Sequence, residues 1–208
     1  IREIVKAWLT LRIKELEEKA MIKYWIAPIK HLNYKFETSK MLNECYWNMD
    51  YFTEHEDIPD EYKKEFKSLK YLKDGKHALP ILTAECKRFV DHFGLHDYEI
   101  RPRYYLCEAG GRFPPHKDMK TLCAVNHMLS DRYAPLIIEG DEYLYRTAII
   151  DLQREHHVVN HGYEDRMLLK LSFFDLSYED LIAKLSTSLD LDPFNFGKYS
   201  FDKLSRNF

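Results

Sequence analysis

The chain is poor in cysteine, glycine and proline, with 4, 7 and 8 copies in 208 residues. Its cysteines are Cys45, Cys86, Cys107 and Cys123, and no two of them form a C-x-x-C pair. A chain of this length with so few unpaired cysteines is not a disulfide-stapled scaffold, because such scaffolds are short and rich in cysteine. We therefore expect reduced thiols and a cytoplasmic protein.

Long apolar runs and blocks of one charge are also absent. No window approaches the ~20 apolar residues of a membrane span, and there is no signal-peptide pattern. The 31 basic and 34 acidic residues are interspersed and give a formal net charge of -3. The lack of a cationic block disfavours a nucleic-acid partner. We expect neither a membrane nor a nucleic-acid partner, and a homodimer stays an open alternative.

The length favours one domain with a single substantial core. Aromatic side chains, 15 Tyr, 12 Phe and 3 Trp, supply mass for that core and for a pocket lining. The pattern of the chain changes near residue 97. We predict one domain over 1–208, with a mainly helical support region (1–96), a β core (97–176), and a C-terminal helix and tail (177–208).

Helical periodicity dominates the first region. Residues 1–27 predict a helix that Pro28 ends, and residues 61–72 predict a shorter helix. Residues 79–94 predict a third helix, which begins at a proline and ends at Gly94. Near the other end of the chain, Ser177 is a suitable N-cap for a helix over 177–189. We expect the aromatic tail that follows it to pack back on the body.

About six short β-rich segments, separated by turn residues, follow residue 97. They are 98–108, 121–129, 134–140, 142–152, 156–161 and 166–175. Strands this short and this closely spaced predict an antiparallel sandwich or barrel rather than βαβ units.

The stretch "RFPPHKDMK" places His116 and Asp118 one residue apart, just after the first predicted core strand. A lone His-x-Asp is common, and its simplest interpretation is a solvated loop. Downstream, His156, His157 and His161 lie within a few residues of one another. Two histidines and one carboxylate on a common face bind Fe(II) and leave coordination positions open. The sequence therefore offers a complete ligand set if one later histidine joins the pair.

Arg166 begins an apolar segment, "MLLKLSF", and so is a candidate for a buried cation. A buried guanidinium is unfavourable without an anionic partner, and it can hold a carboxylate through two parallel hydrogen bonds. A dicarboxylate co-substrate would be such a partner. The alternatives are an internal salt bridge with Glu164 or Asp165, or simple exposure at the start of the strand.

This ordered set resembles the iron(II)/2-oxoglutarate-dependent oxygenases, in particular their aspartyl/asparaginyl β-hydroxylase-like and bacterial proline hydroxylase-like branch. The matching pieces are His-x-Asp at 116–118, His-x-Val-x-Asn at 156–160, and Arg166 ten residues after His156. The similarity covers about residues 100–175. It implies an α+β fold: a double-stranded β-helix, a cupin-like jelly roll, braced by N-terminal helices and a C-terminal helix.

The resemblance also implies the chemistry of the site. Fe(II) would be held by His116, Asp118 and His156, with 2-oxoglutarate as co-substrate paired to Arg166, O2 as oxidant and ascorbate as a candidate stimulant. The reaction would hydroxylate a C–H bond of an amino acid, peptide or protein side chain and release succinate and CO2. Further candidates for holding the co-substrate are Asn126, Ser172 and Tyr105.

Two kinds of alternative stay open. His157 could replace His156 as the distal ligand, although alternation of side chains along a strand turns it to the opposite face. His127 is interpreted as structural or substrate-facing. The rival functions are a cupin-type metal-binding protein without 2-oxoglutarate chemistry and a non-catalytic jelly-roll binding module. The substrate itself is not predicted beyond its class.

Overall fold

The computed structural model describes residues 26–28, 34–54, 66, 68–75, 77–162 and 164–186. Three helices lie within these ranges: α1 Thr38–Trp47, α2 Pro80–Phe93 and α3 Tyr178–Ser186. A short 3-10 helix, Met49–Tyr51, follows α1. None of the described helices is both long enough and apolar enough to cross a membrane.

The described strands form two sheets in which every pairing is antiparallel. The strands are β1 Ile26–Pro28, β2 Thr53–Glu54, β3 Leu69–Leu72, β4 Ile100–Cys107, β5 Arg112–His116, β6 Cys123–Met128, β7 Leu136–Ile138, β8 Asp141–Tyr143, β9 Thr147–Asp151, β10 His156–Val159 and β11 Arg166–Phe173. The large sheet has the order β1-β9-β6-β11-β4-β3-β2, and the small sheet has the order β5-β10-β7-β8.

From β4 onward the chain passes repeatedly between the two sheets. Strands β4, β6, β9 and β11 lie in the large sheet, and β5, β7, β8 and β10 lie in the small one. Apolar side chains of both sheets pack together in one core cluster, so the sheets face each other. Eight antiparallel strands in two facing sheets are consistent with the predicted jelly-roll core.

The central strand β11 shows how this arrangement places polar groups inside. Its odd-numbered residues, from Met167 to Phe173, pack into the core between the large sheet and the helices. Leu168 packs into the second core, between the sheets. Because side chains alternate along a strand, Arg166, Lys170 and Ser172 share the face of Leu168 and point toward the small sheet.

Helices α2 and α3 confirm the sequence prediction and its capping logic. Pro80 occupies the first turn of α2, where its missing N–H costs nothing. Gly94 ends the helix in the left-handed conformation, at φ 63°. At the start of α3, the Ser177 hydroxyl accepts a hydrogen bond from the Asp180 amide at 3.1 Å, as an N-cap does.

Three local predictions were wrong. The helix predicted over 1–27 cannot extend to its predicted end, because Ile26–Pro28 is strand β1, paired with β9; residues 1–25 lie outside the described part. The helix predicted over 61–72 is replaced at Leu69–Leu72 by strand β3, which pairs with β4. The strand predicted over 142–152 is two strands, β8 and β9, with residues 144–146 between them. In each case pairing with a distant strand overrides the local pattern.

Two features were not predicted or lie outside the described residues. Helix α1 was missed, and its N-terminus carries no side-chain cap and no acidic residue in the first turn, so the usual start signals are absent. The C-terminal tail, expected to pack on the body, belongs to residues 187–208, which lie outside the described part.

Candidate metal centre and anion pocket

Strands β5 and β10 set His116 and His156 side by side. The two residues are direct partners in the antiparallel ladder, and their rings lie 4.4 Å apart between centroids. The sequence did not predict β5, because it contains two consecutive prolines. Among the described strands, β5 lies at the edge of the small sheet with β10 as its one partner, and a missing amide donor is tolerated at such an edge.

The two prolines also determine the face of β5 on which the His116 side chain lies. Phe113 pairs with Val158 and His116 pairs with His156, so three steps on β5 oppose two steps on β10. This is a β-bulge at Pro114–Pro115. Without the extra residue, an odd separation would put Phe113 and His116 on opposite faces of the strand. With it, both side chains line the cavity between the sheets.

Asp118 is held against the turn between β9 and β10. Its backbone amide donates to the Leu152 carbonyl at 3.0 Å, and the Gln153 side chain donates to the Asp118 carbonyl at 3.0 Å. The Oδ1 atom of Asp118 lies 3.5 Å from His116 Nε2 and 3.7 Å from His156 Nε2. One carboxylate oxygen and two imidazole nitrogens thus converge, and the ligand atoms lie within 4.8 Å of one another.

Both imidazoles are oriented by backbone carbonyls. His116 Nδ1 lies 2.9 Å from the Pro114 carbonyl oxygen, and His156 Nδ1 lies 2.9 Å from that of Arg154. A carbonyl oxygen can only accept, so each Nδ1 carries the hydrogen and each Nε2 presents a lone pair to the cluster. Among the described residues, the cluster with metal-ligand geometry contains His156 and not His157.

The protonation states suit metal binding near neutral pH. Burial lowers the pKa of His156 to about 4, although the nearby Asp118 carboxylate acts to raise it. Burial would raise the pKa of Asp118, but the nearby Lys170 ammonium, with smaller contributions from His116 and His156, holds it well below its usual range. A neutral imidazole and an ionised carboxylate are the forms that bind a metal.

Lys170 was missed as a site residue. Its Nζ lies 3.1 Å from Asp118 Oδ2 and 5.2 Å from the centroid of the Tyr105 ring, and its side chain is 13% exposed. Burial acts to lower the pKa of Lys170, but Asp118 outweighs it and the net shift is upward. Its inward face could be deduced from alternation with Arg166, but its contact with Asp118 could not.

Arg166 is 3% exposed at the other end of the same strand face. Its Nε donates to the Ala134 carbonyl at 3.1 Å, and its Nη2 donates to the Tyr145 hydroxyl at 3.2 Å. Within the described ranges no carboxylate forms an ion pair with it. The alternative of an internal salt bridge is not observed, because Asp165 Oδ1 accepts from the Ala109 amide and Glu164 lies 3.9 Å from Arg132.

Tyr145 and Asn126 complete the surroundings of Arg166. Asn126 Nδ2 donates to the Tyr145 hydroxyl at 3.2 Å, while the buried Asn126 Oδ1 has no partner. The Tyr145 oxygen accepts from both Arg166 and Asn126, which leaves its own hydrogen for a further acceptor. Tyr145 could not be singled out from the sequence, since it lies in the unpredicted break between β8 and β9.

One cavity extends from the cluster of His116, Asp118 and His156, which we call the metal-type cluster, to Arg166. Its polar lining consists of His116, His156, Asn126, Arg166 and Lys170, and its other walls are mainly apolar. Tyr105, a predicted co-substrate contact, also lines the cavity. Ser172 is buried on the same strand face but is not among the residues that line it.

His127 takes the structural one of its two predicted roles. It faces the helices, where its ring nitrogens lie 2.7 Å from Thr147 Oγ1 and 2.8 Å from Thr38 Oγ1. Its ring stacks on Phe36 with 4.3 Å between centroids. Burial lowers the pKa of His127 to about 3, so the ring is neutral. A substrate contact through the cavity is therefore wrong for this residue.

Asn160, the last residue of the His-x-Val-x-Asn pattern, fixes the far end of β10. Its Nδ2 lies within hydrogen-bond distance of the carbonyl oxygens of Cys107, Glu108 and Glu164, and its backbone amide donates to Gly111. Gly111 has no room for a side chain, since an added Cβ would lie 2.5 Å from Ser68 Cβ. This junction joins the turn that leads into β5 to the strand that carries His156.

Comparison with known proteins gives a likeness of structure only. No protein-family model matches the chain, and no curated protein matches it in sequence. A prolyl 4-hydroxylase from Pseudomonas putida is similar with a TM-score of 0.51 and 12% identity, covering 75% of this chain and 95% of that one. A prolyl hydroxylase from Trichoplax adhaerens, in complex with a hypoxia inducible factor peptide fragment, is similar with a TM-score of 0.52 and 13% identity, covering 87% and 96%. At this identity the likeness shows a shared fold.

Proposed function

We propose that the protein is an Fe(II)- and 2-oxoglutarate-dependent dioxygenase built on a double-stranded β-helix. The observation that carries the proposal is the buried Arg166, which has no carboxylate partner among the described residues and lines the same cavity as His116 and His156 of the three-residue cluster. A metal alone would not call for this cation. A metal together with a dicarboxylate would occupy both ends of the cavity.

The residues present fit a divalent iron. His116 Nε2, His156 Nε2 and Asp118 Oδ1 are the atoms that would hold it, and this donor set is the one that non-haem Fe(II) oxygenases use. When bound, the iron supplies oxygen activation coupled to the oxidative decarboxylation of the co-substrate. The protein's part is to orient the ligands through the Pro114 and Arg154 carbonyls and to keep the cavity largely closed to water.

The residues also fit 2-oxoglutarate. Arg166 and the spare Tyr145 hydrogen provide donors for a carboxylate at the end of the cavity remote from the metal-type cluster. In the other orientation of the Asn126 amide, Tyr145 would donate to Oδ1 instead, and the amide N–H groups would take the place of the Tyr145 hydrogen as donors to the carboxylate. The apolar walls, which include Leu136 and Leu168, suit the two methylene groups. The role predicted for Ser172 is the least supported.

For the substrate we propose a C–H bond of an amino acid, peptide or protein side chain. The shared fold with two prolyl hydroxylases, one of them bound to a peptide fragment, supports this class. We retain the single-domain division of the chain as a proposal. The four cysteines are free, which supports the proposed cytoplasmic location.

The experiment that tests the function is 2-oxoglutarate turnover by purified protein with Fe(II), O2 and ascorbate, measured as succinate formed. We expect slow turnover without substrate, abolished both in His156→Ala and in Arg166→Ala. Arg166→Ala should still bind metal, because its side chain contacts none of the three ligands. Metal binding without succinate formation would indicate the cupin-type alternative. Neither metal binding nor turnover would indicate a non-catalytic module.

A further inference from the structure

We propose that Lys170 is a positioning residue that occupies Oδ2 of Asp118, so that the carboxylate presents only Oδ1 to a metal, and that its charge makes the loaded centre favour a dianionic co-substrate. The inference rests on the proposed function. It concerns a residue that is not one of the three ligands and that the His-x-Asp, distal-His and Arg pattern does not contain.

The geometry divides the two oxygens of Asp118 between two tasks. Oδ1 faces both imidazole Nε2 atoms, at 3.5 and 3.7 Å, while Oδ2 receives the Lys170 ammonium at 3.1 Å. A free carboxylate could rotate and bind a metal through both oxygens. The ammonium holds Oδ2 away from the imidazoles, so the carboxylate contributes one ligand atom and a coordination position stays open.

Lys170 is itself held in place from two sides. Its backbone lies in register between Asn126 of β6 and Arg103 of β4, in the middle of the large sheet. Its ammonium lies over the Tyr105 ring, which attracts a cation. A lysine on a central strand has little freedom to move, so it can fix a partner on the neighbouring loop.

The charge of Lys170 has a second consequence. Before a metal binds, the ammonium is the cation that neutralises the half-buried Asp118. After a divalent metal binds, Asp118 has two cationic partners, and the centre carries one more positive charge than the three ligands alone would give it. The excess charge opposes the metal and attracts the carboxylate groups of 2-oxoglutarate.

These two effects have opposite signs in a variant without the ammonium, which makes the proposal testable. Removing the charge destabilises the metal-free protein, because Asp118 then loses the ammonium that neutralises it. It also relieves repulsion in the metal-bound protein. Metal affinity should therefore rise while co-substrate affinity falls. A residue with a merely structural role would weaken both.

The experiment compares wild-type protein, Lys170→Met, Lys170→Gln and, as a control for the loss of one positive charge, the exposed Lys87→Met. Mn(II) affinity is measured by titration of metal-stripped protein, and 2-oxoglutarate affinity by titration of Mn(II)-loaded protein. For Lys170→Met we expect a severalfold lower Kd for Mn(II), a larger rise of Tm on adding Mn(II), and a Kd for 2-oxoglutarate about tenfold higher. Lys87→Met should match wild type in all three.

Lys170→Gln separates position from charge, because glutamine can still donate to Oδ2. It should show the same weakened 2-oxoglutarate binding as Lys170→Met, and it serves alone if the methionine variant does not fold. Unchanged constants, or a parallel weakening of Mn(II) and 2-oxoglutarate, would overturn the proposal. If wild-type protein binds Mn(II) but not 2-oxoglutarate, the proposed function is lost, and the Mn(II) titrations still decide how Asp118 is held.

Discussion

The two faces of the large sheet both bury polar side chains, but they differ in how completely the charged side chains on them are paired. On the helix side, Glu44, Glu85 and His127 are buried with hydrogen bonds to named neighbours. On the small-sheet side, neither a carboxylate for Arg166 nor a partner for Asn126 Oδ1 is found among the residues that the structure describes. Burial is equal on the two faces, so completeness of hydrogen bonding is what separates a supporting core from a candidate site.

Glu44 shows how buried polar groups are paired on the helix side of the large sheet. Its carboxylate accepts from the amides of Ile81 and Leu82, at 2.8 and 2.9 Å, and from the Tyr104 hydroxyl at 2.8 Å. It therefore caps the N-terminus of α2 from a distant helix and explains why α2 needs no local cap. The exception on this face is Tyr178, whose buried hydroxyl has no partner among the described residues.

The largest effect should come from the distal histidine. His156→Ala removes a ligand whose Nε2 faces the cluster, and we expect the Kd for Fe(II) or Mn(II) to rise by more than about a hundredfold. His157→Ala is the matched control, because His157 is adjacent to His156 on β10 but is not part of the cluster. We expect this variant to bind the metal with wild-type affinity. Metal titration of both variants decides the assignment, and the reverse outcome would move the ligand by one residue.

A stability comparison tests the two faces against each other. Glu44→Gln leaves backbone donors and the Tyr104 hydroxyl poorly paired, so the free energy of unfolding should fall by about 2–4 kcal/mol. Arg166→Met removes a buried cation for which the described part of the chain offers no anion, so the metal-free protein should change by less than about 1 kcal/mol or become more stable. Denaturant unfolding of both variants gives the answer. Equal losses would mean that Arg166 is a supporting residue.

Part of the loss of folding stability at low pH should come from His127, on the helix side of the large sheet. The pKa of His127 is about 3 in the folded protein, against about 6.5 when unfolded, because burial disfavours its charged form. The unfolded chain therefore takes up the proton first. Stability should fall as the pH drops from about 6.5 toward 3, by roughly 4 kcal/mol from this residue. In His127→Gln the dependence over this range should be shallower; an unchanged slope would contradict the assignment.

The smallest effect should come from Tyr145→Phe. The change removes one hydroxyl that accepts from Arg166 and Asn126 and would donate to the co-substrate. We expect the Kd for 2-oxoglutarate to rise about fivefold to tenfold, which corresponds to about 1 kcal/mol, with metal affinity unchanged. Tyr143→Phe, two residues earlier on β8, is the control. Equal effects of the two changes would remove Tyr145 from the anion pocket.

The sequence predicted the parts of this site that depend on local pattern. His116, Asp118 and His156 stand at fixed spacings on segments that read as strand ends, and Arg166 stands at the start of an apolar strand. The structure brings the first three together and buries the fourth. The segments that became β6 and β11 were also recognisable, since their apolar composition reflects burial on both faces.

What the sequence could not supply depends on register between distant strands. The Pro114–Pro115 bulge is visible only when β5 is paired with β10. The contact between Lys170 and Asp118 joins residues 52 apart, and the contact between Tyr145 and Arg166 joins residues 21 apart. Strand β3 was mistaken for a helix because its Lys-rich pattern fits a helix until β4 offers it a ladder. Tertiary pairing decided each of these points.

The most direct test of the proposed site, on the face of the large sheet that carries Arg166, is the binding of 2-oxoglutarate. It is measured for wild-type protein and for Arg166→Met, each with and without Fe(II) under anaerobic conditions. We expect tight binding to Fe(II)-loaded wild-type protein, with the visible absorbance of an Fe(II)–2-oxoglutarate chelate. Binding should be at least about tenfold weaker in Arg166→Met and without metal. Equal affinity in the two proteins, or no binding to loaded wild-type protein, would contradict the assignment of this cavity.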